Sequence, residues 1–239
     1  MLTPHNQVVY QEGFNSLFHH LDTIQEHEVK VINGPKGRFY ISPVTGNKYP
    51  SITTMLGAKE KPYLAAWKLS LGDDKANKEM NRAADRGTAV HSMIENYLNN
   101  IENPTKGFLP EHIREFNQVR LKLNKITEIY TQEIALFSDT LKIAGRVDCI
   151  GVYDGKLCVI DFKTSNGDKK ESMIESYWKQ TTFYALAFQE MYGIQIDDLT
   201  IIMSSERGIV PLVFHAKVED WIEPLIQDIT EYYATHQVA

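Results

Sequence analysis

The chain has 239 residues with 43% hydrophobic and 23% charged content, the composition of a globular domain large enough to bury a substantial core. No apolar run approaches the roughly 18 residues of a membrane-spanning helix. The first 22 residues contain no Arg or Lys, so the sequence predicts neither a membrane protein nor a targeting segment. The net charge of −6 excludes a strongly basic nucleic-acid binder, so any contact with nucleic acid must come from a local basic patch.

Residues 1–50 form a predicted N-terminal extension with one hairpin, because the turn sequence Pro43-Val-Thr-Gly46 separates two short strand-like runs. A helical region is predicted over residues 51–126. Ser51 is a typical N-cap residue, and the apolar stripe of residues 81–101 recurs at helical spacing. This region is expected to lie over the rest of the molecule as a helical cap.

Residues 127–239 form the predicted core. Its elements are a strand over 128–137, a hairpin over 145–165, a helix over 172–192, strands over 199–205 and 209–216, and a helix over 218–235. The order of elements is helices, a three-strand meander, a helix, two strands and a final helix. This order predicts an α/β protein whose mixed sheet is flanked by helices.

The hairpin carries charged residues among many apolar ones. Asp154-Gly155 is a two-residue turn signal, so Tyr153 is expected to pair with Lys156. That register places Asp148 directly opposite Asp161, with Cβ atoms about 4.5–5.5 Å apart. Two carboxylates so close repel each other unless a proton or a cation lies between them, and a divalent metal is the simplest solution.

Side-chain alternation places Lys163 on the face of Asp161, while the cysteines Cys149 and Cys158 lie on the opposite, apolar face as buried thiols. A slipped register with both aspartates in solvent remains an alternative. The ideal register also opposes Arg146 to Lys163, a like-charge pair that a bulge or a bound phosphate could relieve.

Four short motifs follow one another along the chain. They are Gly87-Thr-Ala-Val-His91, Gly145-Arg-Val-Asp148, Asp161-Phe-Lys163 and Gln180-Thr-Thr-Phe-Tyr184. Taken alone, His91 is an ordinary helix residue and the Gln–Tyr pair is an ordinary helix flank. In this order, however, the series resembles the RecB-type branch of the PD-(D/E)xK nucleases. Residues 49–235 are similar to genome-maintenance exonucleases of that branch and their phage and bacterial relatives, whereas the first 48 resemble nothing familiar.

The resemblance implies a restriction-endonuclease-like fold and a set of site residues. The implied metal ligands are His91, Asp148, Asp161 and the main-chain carbonyl of Phe162, with Mg²⁺ or Mn²⁺ as the ion. The implied catalytic residues are Lys163, Asp161, Asp148 and Gln180. The predicted DNA contacts are Tyr184, Gln180, Thr164, Lys179, Trp67 and Lys68. Glu133 and Glu95 are additional candidates for the site.

The implied activity is metal-dependent hydrolysis of DNA from a free end, with single strands preferred, in replication, recombination or repair. The sequence has no GxxxxGK segment, so unwinding would need a helicase or replication partner. A monomer in the cytoplasm of a bacterial or phage-infected cell is expected.

Three other functions compare with this one as follows: two remain open, and one is disfavoured. A structure-selective endonuclease of the same fold and a catalytically silent DNA-binding module remain open alternatives. A small-molecule metallohydrolase is disfavoured because no H-E-x-x-H motif occurs. Two cysteines cannot supply the four ligands of an iron–sulfur cluster, so no such cluster is expected.

Overall fold

The computed structural model describes residues 17–59 and 62–236. The strands are β1 (His19–His20), β2 (Lys30–Gly34), β3 (Gly37–Ile41), β4 (Lys48–Pro50), β5 (Ile126–Ser138), β6 (Ile143–Tyr153), β7 (Lys156–Ser165), β8 (Asp198–Ser205) and β9 (Leu212–Lys217). The helices are α1 (Ile52–Gly57), α2 (Pro62–Leu71), α3 (Asp73–Leu98), α4 (Pro110–Leu123), α5 (Glu175–Tyr192) and α6 (Glu219–Thr235), with a short 3₁₀ turn at Glu171–Met173. Within these ranges no helix is both long and apolar enough to span a bilayer.

The main sheet has six strands in the order β1-β5-β6-β7-β8-β9. The meander of β5, β6 and β7 is antiparallel, as expected for strands joined by short turns. Helix α5 then carries the chain back, so that β8 pairs parallel to β7, and β9 pairs antiparallel to β8. The sheet is therefore mixed and flanked by helices, which confirms the predicted fold class.

Each face of this sheet is covered by a helical layer. One buried cluster joins α3 and α4 to the sheet, through residues such as Val90, Phe116 and Ile160. The other joins α5 and α6 to the opposite face, through residues such as Trp178, Leu225 and Val159. Helices α3 and α4 of the region predicted as a cap are thus one of the two layers that form the core.

A second sheet of three strands, β2-β3-β4, packs beside the main one. Its β3–β4 pair confirms the hairpin predicted around Pro43–Gly46, whereas β2 was not predicted because its residues are mostly exposed and carry no clear pattern. Ser51 caps α1 as expected, since its side chain accepts a hydrogen bond from the Thr54 N–H at 3.0 Å. Residues 1–16 of the predicted extension lie outside the described residues.

Helix α3 and strand β9 differ from the sequence prediction in their boundaries. Helix α3 begins at Asp73 rather than residue 81, because an acidic first turn and a buried Ala76 favour helix there. It ends at Leu98, so Ile101 lies beyond the helix and is half exposed. Strand β9 begins at Leu212 rather than residue 209, since Pro211 has no N–H to donate to a ladder.

Candidate metal centre

The predicted register is confirmed near the turn of the hairpin, whereas the ladder ends before the expected pair of Asp148 with Asp161. Tyr153 pairs with Lys156, and the same register continues to the pair of Cys149 with Ile160. Asp148 is the next residue beyond that last pair, and its Oδ2 accepts a hydrogen bond from the Phe162 N–H at 2.8 Å. Both cysteines are buried on the apolar face, as expected from alternation, and burial raises the pKa of the Cys149 thiol.

The like-charge pair of Arg146 and Lys163, expected from the ideal register, does not form in the β6–β7 ladder. Beyond Cys149 the recorded partners of β6 lie on β5, and beyond Ile160 those of β7 lie on β8. Arg146 pairs with Ala135 across the β5–β6 ladder, and the β6–β7 ladder ends before it would reach Arg146 and Lys163.

Side-chain alternation is interrupted where β5 and β6 carry their acidic residues. Val147 and Cys149 are two residues apart and would share one face of a regular strand, yet they pack in opposite core layers. On the partner strand Glu133 has a φ of 54°, in the left-handed region that non-glycine residues rarely adopt. The irregularity changes the direction in which Glu133 and Asp148 point and brings them toward α3.

Helix α3 supplies His91 to this point. His91, Glu133 and Asp148 each offer one ligand atom, and these atoms lie within 4.8 Å of one another. His91 Nδ1 is 3.6 Å from Asp148 Oδ2, and the His91 ring packs edge-on against Phe162. One imidazole nitrogen and two carboxylate oxygens at this spacing form a donor set that suits Mg²⁺ or Mn²⁺.

Negative charge accumulates around Glu133. Burial, together with the nearby charges of Asp148 and Glu95, raises the pKa of its carboxyl to about 7, although Arg146 acts in the opposite direction. The Arg146 guanidinium lies 3.9 Å from Glu133 Oε2 and is half exposed. The acidic group is therefore electrostatically strained unless a cation or a proton is bound.

Asp161 and Lys163 form a close pair on β7, with Lys163 Nζ 2.5 Å from Asp161 Oδ2. Asp161 is completely buried, and neither of its oxygens has a hydrogen bond of acceptable geometry, although Oδ2 has this ionic contact. Burial raises the pKa of Asp161, and the charge of Asp148 acts in the same direction, because Lys163 only partly offsets the loss of water. The unpartnered Oδ1 is the sort of buried acceptor that needs a proton or a metal ion.

Helix α5 brings Gln180 and Tyr184 to the same side. Gln180 Nε2 donates to the Tyr184 hydroxyl at 3.1 Å, and both residues are buried. A Cβ added to Gly145 would lie 2.8 Å from Tyr184 Cε1, so the glycine of the Gly145–Asp148 motif lets β6 approach this helix closely. Thr164 lies near α3, since a Cβ at Gly87 would stand 3.6 Å from its Oγ1.

Comparison with known families agrees with this geometry. The family profile of the PD-(D/E)XK nuclease superfamily matches residues 101–219, which include Asp148, Asp161, Lys163 and Gln180. The chain belongs to the PD-(D/E)XK nuclease superfamily. The matched segment begins after His91. His91 is therefore associated with the superfamily residues by its position in the fold and not by the profile match.

Curated relatives narrow the comparison within the superfamily. The chain is 32% identical over 179 residues to mitochondrial genome maintenance exonuclease 1 of Mus musculus, covering 70% of this chain and 52% of the relative. It is 30% identical over 182 residues to the protein of the same name from Homo sapiens, with the same coverage. The chain thus spans about half the length of these relatives.

Some of the residues predicted for the site lie away from His91, Glu133 and Asp148. Lys179 is almost fully buried, and its Nζ contacts Glu175 at 2.7 Å and Asp228 on α6 at 3.0 Å. The charge of Lys179 is therefore paired inside the protein, and its predicted contact with DNA stays a prediction. Trp67 and Lys68 are half-buried on α2, and their contact with DNA stays a prediction.

Two residues beside the superfamily motifs were missed in the sequence. Tyr177 lies one turn before Gln180 on α5, and its ring centroid is 5.1 Å from Lys163 Nζ. The sequence indicates Arg146 only as a like-charge neighbour of Lys163, whereas in the structure its guanidinium lies near the Glu133 carboxylate. The sequence shows that Tyr177 is at helical spacing from Gln180 and that Arg146 is at strand spacing from Asp148. It does not show which residues their side chains contact, because those contacts depend on the tertiary fold.

Proposed function

We propose that this chain is a divalent-metal-dependent nuclease that hydrolyses the phosphodiester bonds of DNA. The observation that carries the proposal is the convergence of His91, Glu133 and Asp148 within 4.8 Å, with a buried Asp161–Lys163 pair on the adjacent strand. Membership of the superfamily supports the reaction class.

The residues fit a divalent cation. Asp161 is buried with an unpartnered oxygen, and the pKa of Glu133 is raised by burial and by neighbouring acidic charges, so a cation relieves two unfavourable features of the same region. His91, Asp148 and Asp161 are the proposed ligands, together with the Phe162 carbonyl. Glu133 is proposed as a further ligand, and Glu95 is proposed to act on it through its charge. Mg²⁺ is the proposed ion, with Mn²⁺ as a substitute.

The surrounding side chains have separable roles in the proposed reaction. A bound cation supplies Lewis-acid chemistry, which lowers the pKa of a water and neutralises charge on the phosphate. The Lys163 ammonium, next to Asp161, orients the attacking water and stabilises the additional negative charge of the transition state. The water oxygen bonds to phosphorus, the ester P–O bond breaks, and a phosphate and a hydroxyl end remain.

Gln180 and Tyr184 are proposed to line the pocket of the scissile phosphate. The hydrogen bond between them fixes the Gln180 amide, and burial raises the pKa of Tyr184 well above its ordinary value, so its hydroxyl stays protonated. Thr164, Trp67 and Lys68 are proposed contacts to flanking nucleotides.

We further propose digestion from a free end of single-stranded DNA. The relatives in mouse and human bear the name exonuclease, which supports an end-dependent reaction. Their name also refers to genome maintenance, which supports a role in DNA replication, recombination or repair. We propose that the protein is a monomer and that it works with a helicase or replication partner in a bacterial or phage-infected cell.

The test uses end-labelled linear single-stranded DNA, its circular form and the linear duplex, each with Mg²⁺, Mn²⁺ or EDTA. Metal-dependent loss of the linear strand while the circle stays intact is the expected result. Nicking of the circle would replace the exonuclease with a structure-selective endonuclease. Binding without cleavage under any metal would leave a catalytically silent DNA-binding module.

A further inference from the structure

A second lysine reaches the aromatic ring beside Lys163. Lys169 follows β7 in the segment that leads to α5, and its Nζ donates a hydrogen bond to the Tyr177 hydroxyl at 2.7 Å. The same Nζ lies 4.8 Å from the Tyr177 ring centroid. Tyr177 therefore holds Lys169 by both a hydrogen bond and a cation–π contact.

Lys163 and Lys169 share this ring. Lys163 Nζ is 5.1 Å from the same centroid, so the two ammonium groups are at most about 10 Å apart. Lys163 has Asp161 as its counter-ion. Within residues 17–59 and 62–236, no carboxylate lies within 4.0 Å of Lys169 Nζ, so its charge is not neutralised inside the protein.

An ammonium that is held in place, half-buried and without a counter-ion is suited to an anion. We propose that Lys169, positioned by Tyr177, binds a phosphate of the nucleic-acid strand. This phosphate is next to the one at which Lys163 acts. This inference rests on the proposed nuclease function and adds Lys169 to the predicted DNA contacts. Because the proposed contact is to the phosphate backbone of the nucleic acid, it increases the affinity for a strand of any base sequence.

The chain provides a matched control one residue away. Lys170 is exposed and carries the same charge on the same segment, and none of the side-chain contacts recorded among the described residues involves it. Lys169→Met and Lys170→Met therefore remove the same charge from nearly the same place. Tyr177→Phe deletes the hydroxyl that Lys169 contacts and keeps the ring that both lysines share.

The experiment measures cleavage of a short single-stranded oligonucleotide and, in EDTA, its binding by fluorescence anisotropy across a salt series. Lys169→Met is expected to raise KM and Kd about tenfold with kcat unchanged, since a charged hydrogen bond is lost. It should also reduce the slope of log K against log salt by about 1. Lys170→Met should stay within about twofold of wild type, and Tyr177→Phe should raise KM less than Lys169→Met does.

Equal effects of Lys169→Met and Lys170→Met in an enzyme that cleaves would overturn this inference and leave the nuclease function standing. A fall in kcat with KM unchanged would also overturn it, because Lys169 would then act on the reaction rather than on binding. If the wild type binds without cleaving, the anisotropy comparison still decides the role of Lys169. A wild type that neither binds nor cleaves would refute both.

Discussion

Replacing Glu133 with glutamine is expected to stabilise the metal-free protein and at the same time to remove much of its response to Mg²⁺. Glu133 is only about one quarter exposed and lies among acidic neighbours, so its charge is unfavourable when no cation is bound. Glutamine keeps the size of the side chain and removes the charge. Stability and function should therefore change in opposite directions at this residue.

The magnitude follows from the pKa. Folding raises the pKa of Glu133 from 4.5 to about 7, so the folded state binds the proton more tightly than the unfolded state does. The destabilisation is absent below pH 4.5, grows between pH 4.5 and 7, and is complete above pH 7. At about 1.4 kcal/mol for each pH unit, ionised Glu133 costs roughly 3 kcal/mol at pH 8, with partial exposure reducing this to about 2 kcal/mol.

Urea unfolding in EDTA measures this difference. At pH 8 the Glu133→Gln protein should be more stable than wild type by about 2 kcal/mol, and at pH 5 by less than about 1 kcal/mol. Glu128→Gln is the control, because Glu128 is exposed on the same strand. Addition of Mg²⁺ should raise the unfolding midpoint of wild type more than that of Glu133→Gln. A variant less stable than wild type at pH 8 in EDTA would refute the reasoning.

Two further changes test the packing that supports the site. Asp228→Leu leaves the buried Lys179 without its α6 partner and should lower the free energy of unfolding by about 3 kcal/mol, measured by urea denaturation; an unchanged midpoint would show that the ion pair is not needed. Gly145→Ala forces a methyl group against the Tyr184 ring and should destabilise the protein by about 1–3 kcal/mol and slow cleavage. Gly57→Ala, whose Cβ would meet no atom within 4 Å, is its control, and equal cleavage rates for both alanine variants would contradict the close approach.

The hairpin could be predicted because its information is local. A two-residue turn fixes the register of the strands on either side, and the alternation of apolar residues then assigns faces. Asp154-Gly155 therefore sufficed to place Asp148 next to the end of the ladder and Cys149 in the core. His91 needed the resemblance to a known motif series, since a histidine on a helix carries no sign of the strand it will meet.

The rest of the site depends on tertiary contacts that no local pattern records. The left-handed Glu133 and the interrupted alternation at Asp148 arise where two strands meet different core layers. Lys179 and Lys169 look equally suitable for DNA in the sequence. Only the position of Asp228 on α6, far along the chain, shows that Lys179 is paired internally.

The Lys163→Met substitution tests the central claim most directly. Its cleavage rate should be measured on the linear single strand with saturating Mg²⁺, beside its urea midpoint. The account predicts a rate at least about 10²–10³-fold below wild type, the loss seen when one preorganised transition-state contact is removed, with a folded protein that still unfolds cooperatively. A well-folded Lys163→Met protein that cleaves at the wild-type rate would contradict the assignment of this site.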